Sequence, residues 1–100
     1  MNRRLNTPTR GGSFNPATIE AVWRKAKPEP GRPGFVRDTC GALIQHADYG
    51  QETTYGWHVD HIVPVAKGGG DELSNLQPLH WENNLHKGTN YPNWSCKRSN

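Results

Sequence analysis

One hundred residues, 32% of them apolar, set an upper limit of one domain with a modest hydrophobic core. No apolar run approaches the length of a membrane span, and the polar N-terminus lacks the hydrophobic stretch of a secretory signal, so a soluble, cytoplasmic chain with no membrane partner is expected. Twelve Lys and Arg against nine Asp and Glu leave a formal net charge of +3, which attracts a polyanion without identifying one.

Residues 1–14 contain Arg3, Arg4 and Arg10 followed by Gly11 and Gly12, and read as a flexible basic arm ahead of a single domain at 15–100. Asn15-Pro16 is a helix start, with a capping side chain followed by proline at the first helical position. Ile19, Val22, Trp23 and Ala26 then recur at helical spacing, which predicts an amphipathic helix over 16–27, ended by Pro28 and Pro30. Beyond a Pro/Gly connector, Phe35-Val36-Arg37 and Ala42-Leu43-Ile44-Gln45 read as two short extended pieces around Cys40-Gly41. The polar stretch 47–56 is rich in turn formers. Trp57 to Ile62 alternates and favours a strand ending near Pro64. Gly68-Gly69-Gly70-Asp71 is a loop, Asn75 to Leu79 a second extended piece, and Trp81 to Lys87 a helix ended by Gly88.

Four tryptophans, Trp23, Trp57, Trp81 and Trp94, offer the bulk that so few aliphatic residues cannot supply. For Trp57 and Trp81, a place in the core is preferred over stacking on nucleic-acid bases. Cys40 and Cys96 belong to no Cys-x-x-Cys pair, so a structural zinc knuckle is not expected. A disulfide between them stays open, with two free thiols the plainer reading.

Residues 57–88 carry the chemistry: WHVDHIVPVAKGGGDELSNLQPLHWENNLHKG. Asp60-His61 closes the first strand, Asn75 follows fourteen residues after His61, and Asn84 nine residues after that. Ile62 and Pro64, the glycine loop, Asn-Leu-Gln-Pro-Leu and Lys87 complete a contiguous pattern over a third of the chain. The segment resembles the HNH family of nucleases in its Asp-His-Asn-Asn form. That resemblance implies an α+β fold: a small ββα-metal (His-Me finger) core, here with an N-terminal helix and the basic arm. It also implies that Asn75 orients His61 through a hydrogen bond to nearby backbone. Lys87 is the first candidate for a phosphate contact on DNA, with Arg37 and Lys67 behind it.

Elementary chemistry points the same way. Hydrolysing a phosphodiester requires an activated water, neutralisation of charge growing on phosphate, and help for the departing 3′ oxygen. A divalent cation meets the last two needs. Asp60 from a strand end and Asn84 from a facing helix are hard oxygen donors, which favours Mg2+ or Mn2+, with Zn2+ or Ni2+ as alternatives. His61, adjacent to Asp60, cannot point the same way on a regular strand and is placed to act as general base.

The other histidines have plainer readings. His58 lies two residues before Asp60 on the same strand face; it stands as a support for a ligand, an auxiliary metal ligand or, most simply, a polar strand residue. His80 and Asn83 occupy positions where relatives often place zinc-knuckle cysteines. Without thiols they read as helix-start residues, His80 also as a supporting or substrate-contacting group. His86 is expected to face solvent, and His46 to stand alone. The chain is therefore expected to be a metal-dependent endonuclease cutting DNA, prokaryotic or phage-encoded, a monomer or weak homodimer. A non-catalytic nucleic-acid-binding module with the same fold, or a ribonuclease, is the alternative.

Overall fold

Asn15 caps the first helix, its Oδ1 accepting from the Thr18 amide at 2.8 Å, and helix α1 runs Pro16–Trp23. The structure, a computed structural model, describes residues 5–100, so Arg3 and Arg4 of the expected arm lie outside the described residues. The helix stops before residue 27. Lys27 precedes a proline and is pushed toward extended backbone, and Lys27–Pro28 becomes a short edge strand, β1. Lys25, at the turn between them, donates its ammonium to the carbonyls of Leu73 and Leu76 and ties this corner to the second half of the chain.

Strand β1 pairs antiparallel with β2 (Phe35–Arg37), and β2 with β3 (Leu43–Gln45), in register Phe35 to Gln45 and Arg37 to Leu43. Pro28 is tolerated because β1 lies at the sheet edge. The second sheet is a separate antiparallel pair, β4 (Trp57–His61) and β5 (Leu76–His80), with Trp57 opposite His80 and His61 opposite Leu76. Helix α2 (Trp81–Lys87) follows β5 without a linker and packs back across both strands. Strand, loop, strand and helix make the ββα unit of an α+β fold, and α1 with the first sheet closes its other side.

All five residues of β4 are buried, which removes the usual half-exposed alternation. Trp57 and Val59 point into a core formed with Phe14, Val22, Trp23, Val36, Ile44 and Leu76. His58 and Asp60 point the other way, onto α2. A strand covered on both faces needs partners for the polar side chains it carries; His58, Asp60 and His61 find them on α2, β5 and the glycine loop, whereas the Trp57 indole N–H is buried without a hydrogen-bond partner among the described residues. Trp57 is in the core as expected, its ring 5.0 Å from that of Trp23. Trp81 is not: it stays partly exposed, its indole N–H donating to the Thr53 carbonyl.

The two cysteines form a disulfide, with Cα atoms 5.8 Å apart, instead of remaining free thiols. The bond anchors an irregular tail that Asn83 also holds, accepting from the Lys97 and Arg98 amides and donating to the Arg98 carbonyl and to Asp38. No helix among the described residues is long and apolar enough to cross a membrane.

Candidate active site

Three of the residues singled out in sequence converge. Asp60 and His61 at the end of β4 and Asn84 in the middle of α2 line one cavity of about 230 Å3, walled further by residues 5–7, by Pro64 to Ala66, and by Gly88 and Thr89. The strand end and the helix can face each other because α2 leaves β5 directly and doubles back over β4.

Asp60 is 6% exposed, and its two carboxylate oxygens are both engaged. Oδ2 accepts from Gln77 at 2.9 Å, across the strand pair. Oδ1 lies 3.4 Å from the Lys87 ammonium. Burial raises the carboxyl pKa above its ordinary value, and the bonds from Gln77 and Lys87 offset part of that rise. Asn84 pairs its Nδ2 with His58 Nδ1 at 3.0 Å. No hydrogen bond to Asn84 Oδ1 occurs among the described residues, so this oxygen is the one left for a ligand. His58 is the residue behind Asn84. Burial, with the neighbouring His80, lowers its pKa to about 4, so the ring is neutral near pH 7 and its Nδ1 serves as the acceptor.

Asn75 is buried just before β5, at the end of a short 3-10 turn, and braces the turn that follows His61. Its Oδ1 accepts from the Val63 amide at 2.9 Å, while its Nδ2 donates to the carbonyls of Val63 at 3.1 Å and Gly70 at 2.9 Å. The bond to backbone two residues past His61 is of the kind expected. The bond to Gly70 is an addition, because it also fixes the glycine loop. That loop closes tightly: a Cβ on Gly69 would sit 1.7 Å from the Val63 carbonyl oxygen, a separation only glycine avoids.

The loop delivers Asp71, which sequence reasoning passed over. Its Oδ1 lies 2.8 Å from His61 Nε2. Its carboxylate also accepts from the Thr9 amide and, through Oδ2, from the Thr9 hydroxyl at 3.0 Å. Burial pulls the Asp71 carboxyl upward, but the bonds from His61 and Thr9 together outweigh it and hold the pKa below the usual carboxylate value. The one hint in the sequence was an acidic residue ending a glycine run inside the motif. Residues 5–14, read as part of a basic arm, lie against the domain: Asn6 Oδ1 accepts from the Val59 amide and the Tyr49 hydroxyl, and Phe14 is buried 5.9 Å from the His61 ring.

Several expected contacts fall elsewhere. Lys87 has no exposed surface; its ammonium donates to the His61 carbonyl at 2.9 Å, so it braces the site from inside and does not reach out to phosphate. Asn84 and Lys87 are three residues apart on one helix face, which turns both toward β4. Arg37 is held by Glu29 in a two-point ion pair at 2.8 Å and donates to the Gly41 carbonyl, on the sheet of β1 to β3. Lys67 remains exposed, one residue past Ala66 on the cavity wall. His80 is fully buried and does not line the cavity of Asp60, His61 and Asn84: its Nδ1 caps α2 by accepting from the Glu82 amide, and its Nε2 donates to the Thr54 carbonyl. His46 is not alone, since it bonds Glu20 at 2.8 Å and meets the Trp23 ring edge-on.

Among the described residues no group of three or more His, Cys, Asp or Glu side chains is arranged so that it could hold a metal ion. An Asp-plus-Asn site does not need one. Asp60 brings a carboxylate with lone pairs beyond those its two partners use, Asn84 brings an oxygen with no protein partner, and both open on the same cavity. This donor set fits a hard divalent cation that keeps most of its water.

The family model for HNH endonuclease matches residues 38–90, just over half of the chain. The chain belongs to the HNH endonuclease family. Comparison with curated proteins and with solved structures gives no significant match.

Proposed function

We propose that this chain is a metal-dependent endonuclease that hydrolyses phosphodiester bonds in DNA. The observation that carries the reading is the convergence of Asp60, His61 and Asn84 on one cavity, from one strand and a helix inside the segment that matches the family. Asp60 and Asn84 would hold the cation, with Mg2+ or Mn2+ preferred by their oxygen donors. When bound, the cation supplies charge neutralisation on the phosphate and stabilises the departing 3′ oxygen.

The remaining work belongs to the protein. His61 takes a proton from water as the water oxygen attacks phosphorus; the P–O3′ bond breaks, and the leaving oxygen collects a proton from solvent. Asn75 holds the turn after His61 so that the ring keeps its place. Lys87 and Gln77 fix the Asp60 carboxylate, and His58 fixes the Asn84 amide with its oxygen toward the cavity. Lys67, exposed beside the cavity, is the cation best placed to meet a phosphate of the backbone.

Incubating the protein with supercoiled plasmid tests this directly. Conversion to open-circular or linear DNA with Mg2+ or Mn2+, abolished by a chelator, is expected. Binding without conversion under every metal would favour the non-catalytic module, and cleavage confined to RNA would favour a ribonuclease.

A further inference from the structure

We propose that Asp71 is a positioning residue for His61, forming a carboxylate–imidazole pair that Thr9 of the N-terminal segment locks in place. The inference rests on the nuclease reading above for its consequence, but not for its geometry.

An ionised carboxylate only accepts hydrogen bonds. At 2.8 Å from Asp71 Oδ1, His61 Nε2 must therefore carry the hydrogen. A neutral imidazole has one such hydrogen, so Nδ1 keeps its lone pair, and no described residue bonds it. Choosing the tautomer and fixing the ring plane is what a general base needs from its neighbour, since the wrong tautomer offers water a donor where an acceptor is required. The pair is held firmly from behind. His61 is buried, its ring packs on Phe14, and the Asp71 carboxylate takes both the amide and the hydroxyl of Thr9, 62 residues away in sequence. Asn75 secures the other side through Gly70, the residue before Asp71.

Two of these restraints, Thr9 and Phe14, lie outside residues 38–90 that match the family. The N-terminal segment is thus part of the catalytic apparatus and not an accessory to it.

The experiment reads the His61 tautomer by long-range 1H–15N correlation on the metal-free protein at a pH where the ring is neutral, and steady-state cleavage on the same variants. In the wild type the Nε2–H form should dominate. Asp71→Asn should keep it: the Thr9 amide still demands an oxygen at Oδ1, while the Thr9 hydroxyl can accept from the new NH2. Turnover of that variant should stay within about tenfold of wild type. Asp71→Ala should release the preference and lower kcat by about 10- to 100-fold, with KM unchanged. Thr9→Val should act in the same direction and less strongly. A wild type in the Nδ1–H form, or an Asp71→Ala variant with unchanged tautomer and kcat, would overturn the proposal. Failure of the wild type to cut any nucleic acid, with the tautomers as described, would instead sink the nuclease reading and leave the pair standing.

Discussion

The ammonium of Lys87 and the main-chain carbonyl oxygen of His61 lie 2.9 Å apart, in a spot with no contact with solvent. The same ammonium faces Asp60 at 3.4 Å and the Trp94 ring at 5.9 Å. One buried cation thus holds the backbone of the proposed base and the side chain of the proposed ligand. Removing one member of a buried charge pair strands the other, at a cost of about 3–5 kcal/mol. Lys87→Met should therefore lower the free energy of unfolding by that order in urea titration. Full stability combined with a shallower salt dependence of DNA binding would return Lys87 to the role of phosphate contact.

Salt dependence itself should report on Lys67. Each phosphate contact adds a slope of about −0.9 to log affinity against log salt on duplex DNA. Lys67→Ala should reduce the slope by about one such increment, measured with metal withheld so that nothing is cut. An unchanged slope would move the contact to other exposed basic residues.

His61→Ala should abolish turnover while leaving metal and DNA binding intact, since the imidazole is needed only as water attacks. A fall in kcat of about 100- to 10,000-fold is expected. Near wild-type cleavage would remove His61 from the mechanism.

Asp60→Asn and Asn84→Ala should each weaken Mn2+ affinity in calorimetric titration, Asp60→Asn the more so because it removes the charge of the pair. The asparagine at position 60 keeps the side-chain volume, which limits the disturbance around Lys87. If both variants bind Mn2+ as tightly as wild type, the cation is held elsewhere.

Stability should rise with pH between about 4 and 6.5 through His58. Its folded pKa of about 4 lies below the ordinary 6.5, so in this window the unfolded chain binds more protons. The contribution is complete above 6.5 and is lost as pH falls toward 4; it amounts to roughly 3 kcal/mol at most. Asp60, with its raised pKa, slopes the other way. The difference between wild type and His58→Gln, followed by denaturant titration at each pH, isolates the histidine. Parallel pH profiles for the two proteins would show that His58 is not buried as described.

Local signals were legible where a short-range rule decides the outcome. Asn15-Pro16 starts α1, Gly88 ends α2, and the alternation from Trp57 marks β4. The spacing of Asp60, His61 and Asn84 sufficed to bring them together, because a strand pair running straight into a helix leaves little freedom. What escaped depends on contacts distant in sequence. Lys25 reaches Leu73 and Leu76 as the chain leaves α1, Thr9 finds Asp71, and Cys40 finds Cys96. Lys87 was misplaced for a different reason. A lysine on a short helix is ordinarily exposed, but its position one turn after Asn84 already put it on the buried face.

The Cys40–Cys96 bond encloses β4, the glycine loop, β5 and α2 in a single covalent ring. A protease that cuts once in the exposed stretch 51–54 would not release the N-terminal half of the chain from the half that carries Asp60, His61 and Asn84. The nicked protein would migrate as one species until reduced, and then as two fragments, one of them beginning just ahead of Trp57. Cutting at such a site makes the molecule two chains without releasing either, so the ring allows backbone breaks here that an open chain of this size would feel as dissociation.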